Sequence, residues 1–149
     1  MPQTVGHFTN SDLDEIVVAE REGVALDVLK EAAGLTPSPI DLLGTWVNID
    51  SHTGGIVKIV LGWTNALQVH AFGACVPNPC DWGVVAGHTY GANVSSGRAI
   101  AFSAAYQFNF KSTIVTGSLQ GGMLVVEVFD HFTDNSGRYD YYSRLTFRR

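Results

Sequence analysis

From Gly44 onward, turn-forming residues recur too often to leave room for long helices. Turn chemistry appears at Gly54-Gly55, Thr64-Asn65, the loop holding Cys75 and Cys80, Asn93 to Gly97, Gly121-Gly122 and Asn135 to Gly137. Between these groups lie eight segments rich in β-branched and aromatic residues, at about 45–50, 55–62, 66–72, 83–91, 98–107, 109–119, 122–132 and 138–147. Connections this short join antiparallel neighbours. Eight such strands can stay open, pack as two sheets, or close on themselves. Closure removes both unpaired edges and, at this strand number, leaves room for side chains or one small ligand. The expected fold is mainly β, an eight-stranded antiparallel up-and-down barrel, with a two-sheet sandwich as the alternative.

Upstream the pattern differs. Residues 11–33 read as helix: Ser11 and Asp14 have capping-box spacing, and Leu13, Val17, Val24, Val28 and Ala32 fall at helical intervals. Gly34 and Pro37 stop it, and Gly23 is a point at which it can divide. Ser38, Pro39 and Asp41 then fit one short turn ending at Gly44. The expected organisation is an N-terminal helical segment, 1–37, packed on a barrel domain, 38–149.

A chain of 149 residues buries roughly 70% of its unfolded surface, enough for one core without covalent staples. No apolar run approaches the ~20 residues of a membrane helix, and the first residues lack the basic start and apolar stretch of a signal peptide. A soluble, cytoplasmic protein without membrane insertion is expected. The net charge of −5 is uneven: residues 1–41 hold two basic and eight acidic residues (2 − 8 = −6), leaving +1 for the rest. Neither part clusters Lys and Arg as phosphate backbones require, so nucleic acid is not an expected partner. No nucleophile-elbow serine motif, zincin motif, phosphate loop or dinucleotide fingerprint occurs, and no cofactor is expected.

The stretch Leu42-Leu43-Gly44-Thr45-Trp46, a short turn leading into Gly-x-Trp on the first strand, resembles the opening of lipocalins and related calycin barrels. The resemblance implies that Trp46 plugs the closed end beneath an arginine from the last strand, for which Arg144 and Arg148 are the candidates. A guanidinium over an indole face contributes about 0.5–2 kcal/mol. The chain departs from that family in placing its helix before the barrel. The segment Cys75-Val76-Pro77-Asn78-Pro79-Cys80-Asp81-Trp82-Gly83 is similar to one found in small bacterial proteins without an assigned function.

Cys75 and Cys80 have four residues between them, which is neither the zinc-knuckle nor the redox spacing, and no further ligands complete a metal set. The loop's ends must approach, so a reduced pair and a rim disulfide both fit. A closed ring would restrict the unfolded chain by roughly 2 kcal/mol. Pro77 and Pro79 stiffen the loop, and Trp82 beside it suits either a barrel mouth or a cap on the core.

Several strands are apolar on both faces. Met123, Val125, Glu127, Phe129 and His131 alternate with Leu124, Val126, Val128, Asp130 and Phe132. Such strands are usually covered twice, and the acidic helix or a second subunit, as a homodimer, is expected to supply the cover. The polar candidates for a site are Asn48, His70, His88, Tyr106, Glu127 and Tyr142, brought together from different strands, with Phe129 and Trp82 adding apolar contact. The leading expectation is a barrel that binds a small hydrophobic molecule. A cofactor-free cyclase or isomerase in the same cavity, with Glu127 and His70 or His88 as acid and base, is the alternative. An oligomeric interaction module is the third. Asp130, His131 and Asp134 invite an acid/base reading, but adjacent strand residues point to opposite faces, and Asp134 to Gly137 fits an Asx turn with Arg138 and Asp140 solvated.

Overall fold

In the computed structural model, which describes residues 35–149, the chain forms one closed antiparallel barrel. Its strands are β1 (Gly44–Asn48), β2 (Ile56–Trp63), β3 (Leu67–Gly73), β4 (Cys80–Gly91), β5 (Ala99–Gln107), β6 (Lys111–Gln120), β7 (Met123–Phe132) and β8 (Tyr141–Arg148). Each pairs with its sequence neighbours, and β1 meets β8 through Val47 opposite Arg148 and Asn48 opposite Phe147. The up-and-down barrel is therefore closed, and the sandwich is excluded. The helix expected at 11–33 lies outside the described residues. Among those described, no helix is long and apolar enough to cross a membrane.

Period-two alternation sets the inner face. On β3, Leu67, Val69, Ala71 and Gly73 are buried while Gln68, His70 and Phe72 face outward. On β6 to β8 the inner series are Thr113, Val115 and Gly117; Leu124, Val126, Val128 and Asp130; and Ser143, Leu145 and Phe147. The face of β7 that carries Glu127 and Phe129 is the outer one.

The loops β2–β3, β4–β5 and β6–β7 gather at one end, and there the lumen is filled. Trp46, Phe102, Phe147, Leu61, Leu67 and Leu124 are almost completely buried. Burying each such side chain is worth about 1.5–3 kcal/mol. Phe102 lies against Gly117 so closely that a β-carbon there would collide with its ring.

The segment before β1 seals this end. Leu42 N–H donates to Pro39 O at 2.8 Å, Leu42 is fully buried, and Trp46 Nε1 donates to Leu42 O at 2.8 Å. Ser38 bonds the backbone on both sides of Arg98, and Arg98 forks onto Asp41. The arginine over the tryptophan is Arg149, with its guanidinium carbon 4.2 Å from the Trp46 ring. This corrects the expectation of Arg144 or Arg148. Ser143, Leu145 and Phe147 face inward on β8, so Arg144 and Arg148 point out, and the next inward position is Arg149.

Candidate ligand-binding site

At the opposite end the β1–β2, β3–β4, β5–β6 and β7–β8 connections surround an open cavity of about 370 Å³. That volume falls within the ~300–1,000 Å³ usual for small-molecule sites. The lumen is thus solid below and hollow above. The walls are mainly apolar: Ile56 and Leu145 on one side, Trp82, Phe108 and Phe110 on the other, with the Cys75–Cys80 pair on the rim. The two cysteines form a disulfide, which decides between the two states that spacing left open.

A glycine bulge controls which side chains of β4 reach this cup. The register between β3 and β4 shifts between His70 and Phe72, and Gly83 adopts φ 85°, a conformation that glycine accepts without strain. The shift lets Trp82 and Val85, an even and an odd position, both pack on the core. Without it, the even positions would carry His88 inward along with Trp82; with it, Gly87 and Thr89 face in and His88 is exposed. Trp82 packs against Gly73, where a β-carbon would come within 2.6 Å of its indole nitrogen. Its ring meets Tyr106 and Phe108 edge-on at 5.5 and 5.3 Å.

The polar group of the cup is a pair absent from the sequence-based set. Lys111 Nζ lies 3.0 Å from Asp130 Oδ1, with side-chain exposures of 13% and 4%. Thr113 Oγ1 donates to the same oxygen at 2.6 Å. The ammonium also sits 5.1 Å from the centre of the Trp82 ring and 5.6 Å from those of Phe108 and Phe110. Tyr141 borders the same cavity, and partial burial, followed by the nearby Asp130 charge, raises its pKa above the ordinary phenol value. At the rim, Arg138 covers Phe132 and Phe110 at 4.2 and 5.5 Å and bonds Asp134 at 2.9 Å.

Most of the polar residues picked from sequence do not converge in the lumen. His70 is on the outer surface, 2.6 Å from Asp81 and stacked on Phe72. Glu127 accepts from the Tyr142 hydroxyl at 2.7 Å, and Tyr142 packs on Phe129, all three on the outside of β7 and β8. Asn48 and Tyr106 do point inward, but their polar atoms are engaged. The Asn48 amide donates to Ile56 O at 2.9 Å and accepts from Asp50 N–H at 2.8 Å, which fastens the β1–β2 loop. The Tyr106 hydroxyl accepts from Ala71 N–H at 3.1 Å and lies within donating range of Val69 O and Gly83 O, at 3.0 and 2.9 Å. It therefore ties β3 to β4 at the bulge, and burial raises its pKa. Trp82 alone of the expected binding residues lines the cavity.

The cluster around Asp130 separates as strand geometry requires. Asp130 faces in, whereas His131 faces out and bonds Asp140 at 2.7 Å. Asp134 accepts from Ser136 N–H in the expected Asx turn, with Asn135 and Gly137 at positive φ. A lysine at the start of the inward series Thr113, Val115 and Gly117, diagonal to an aspartate ending the inward series of β7, is the signal that would have found the pair. Among the described residues, no group of three or more His, Cys, Asp or Glu is placed to hold a metal ion. Comparison of the chain with protein-family models, curated proteins and solved structures finds no match.

Proposed function

We propose that this protein binds a small, mostly apolar molecule in the upper half of its barrel. The observation that carries the reading is the hollow cup itself, with aromatic and aliphatic walls and one ion pair set within them. Sites of this kind take affinity from apolar contact and orientation from a few polar groups. The likeness to calycin barrels supports it: Gly44 and Trp46 open the first strand as that likeness expects, and an arginine, Arg149 just past β8, covers the tryptophan. Trp82 is the natural reporter, since it lines the cup while Trp46 lies in the packed floor. Titration with a panel of hydrophobic ligands should quench and shift tryptophan emission, and a Trp82→Phe variant should lose that response. A panel that leaves Trp82 emission unchanged up to its solubility limits would reject the reading.

A cofactor-free isomerase or cyclase is the second reading, favoured by a carboxylate of 4% exposure beside a phenol and an ammonium at the cavity wall. Asp130 would take the proton and Tyr141 or Lys111 would return one, in place of the outward-facing Glu127, His70 and His88. Asp130→Asn should then abolish turnover while leaving substrate binding measurable. Retained turnover in that variant would eliminate this reading without touching the first.

A further inference from the structure

Each charged side chain set against the cavity's aromatic walls already has its opposite beside it. Lys111 is matched by Asp130 inside, and Arg138 by Asp134 at the rim. The charges of the cup therefore nearly cancel. Hydrogen-bonding capacity is nevertheless left over. An ammonium has three N–H groups, and the contacts of Lys111 are one carboxylate oxygen and the faces of three rings, which are weak acceptors. Thr113 donates to Asp130 Oδ1, Lys111 is paired with the same oxygen, and Tyr141 also hydrogen-bonds the carboxyl group. A carboxylate has about four acceptor sites, so accepting capacity is left over on Asp130. A donor and an acceptor thus stand side by side on a wall otherwise built of Trp82, Phe108 and Phe110.

We infer that the cup selects uncharged, ring-containing molecules that present a hydrogen-bond acceptor and donor next to each other, the pattern of a primary carboxamide or a lactam. The carbonyl oxygen accepts from Lys111 Nζ, the amide N–H donates to Asp130, and the ring lies among the aromatic walls. An organic anion satisfies Lys111 but brings a second negative charge against Asp130. An organic ammonium does the reverse. Either leaves one charge uncompensated where water is largely excluded, which disfavours binding. A plain hydrocarbon fills the volume and leaves the donor and acceptor without partners, which a site built around polar groups penalises.

The inference rests on the small-molecule reading above, and the test separates the two. Titration calorimetry on the full chain would compare naphthamide, naphthoate, naphthylmethylammonium and naphthalene, together with the corresponding phenyl series. The amide of at least one series should bind about tenfold or more tighter than its three matched analogues. If an anion, an ammonium or a hydrocarbon binds as tightly as its amide, the selectivity is wrong while the cavity reading stands. If nothing in either series binds, both fall. Lys111→Met alone leaves a buried carboxylate without its counter-ion and is a poor fold risk, so the second arm uses Lys111→Met/Asp130→Leu. That variant should keep the circular dichroism of the barrel, still take naphthalene, and lose its preference for the amide; an amide preference that survives overturns the inference.

Discussion

The guanidinium of Arg149 lies 4.2 Å from the Trp46 ring and, from its two terminal nitrogens, donates at 2.6 Å to the carbonyls of Leu43 and Asp41. One side chain thus caps the indole that plugs the barrel and fastens the segment that seals it. Arg149→Ala removes a cation–π contact and two charge-assisted hydrogen bonds, and should cost about 1–3 kcal/mol in denaturant unfolding. Arg144→Ala and Arg148→Ala, on the outer face, should stay within about 0.5 kcal/mol. Equal effects from all three would show that the cap contributes nothing special.

Tyr106 offers a second test, because its hydroxyl serves β3 and β4 together. Tyr106→Phe keeps the ring but strips a partner from Ala71 N–H, Val69 O and Gly83 O. Leaving such groups without partners where the chain is buried costs about 1–3 kcal/mol. Equilibrium unfolding should fall by that amount, and amide hydrogen exchange at Ala71 should accelerate most. Uniform acceleration across the barrel would argue against a local clasp.

These clasps also mark where sequence reading succeeds and stops. Leu67, Val69 and Ala71 alternate cleanly with Gln68, His70 and Phe72, and that alternation puts His70 outside, against its selection as a lumen residue. Gly44 and Trp46 announced the sealed end, and the turn residues located the hairpins. Strand β7 resisted because both of its faces are apolar: whether Glu127 or Asp130 enters the lumen depends on Lys111, a residue on another strand. His88 is turned outward because one left-handed glycine, Gly83, reverses the inside–outside alternation of β4 after Trp82. A lone lysine in strand pattern reads as solvated, and only the closed barrel brings three rings and a carboxylate around it.

Acid stability follows from the outer carboxylates. Asp81 has its pKa held below the ordinary 3.8, first by the Gly83 N–H and then by His70; the same direction holds for Asp140, through His131 first. A carboxyl that binds its proton less readily when folded adds stability in full above its unfolded pKa. That stability is lost as pH falls through the lower folded value. Asp81→Asn should therefore lower Tm at neutral pH, and the gap to the unmodified protein should close as pH drops below 3.8. A gap that persists unchanged at pH well below that value would assign the effect to packing.

The Cys75–Cys80 bond closes a small ring on the rim, just before Trp82, and both cysteines line the cup. By loop entropy such a ring is worth about 2 kcal/mol, which in a domain of this size corresponds to roughly 4–8 °C in Tm. Cys75→Ser/Cys80→Ser should show that loss, and adding reductant to the unmodified protein should reproduce it while leaving the double variant unaffected. The core below Trp46 and Phe102 does not depend on the rim, so far-ultraviolet circular dichroism at room temperature should remain that of a barrel. Ligand affinity should fall as well, because the loop holds one wall of the cup. A double variant with unaltered Tm and unaltered affinity would mean that Pro77 and Pro79 stiffen the rim sufficiently by themselves.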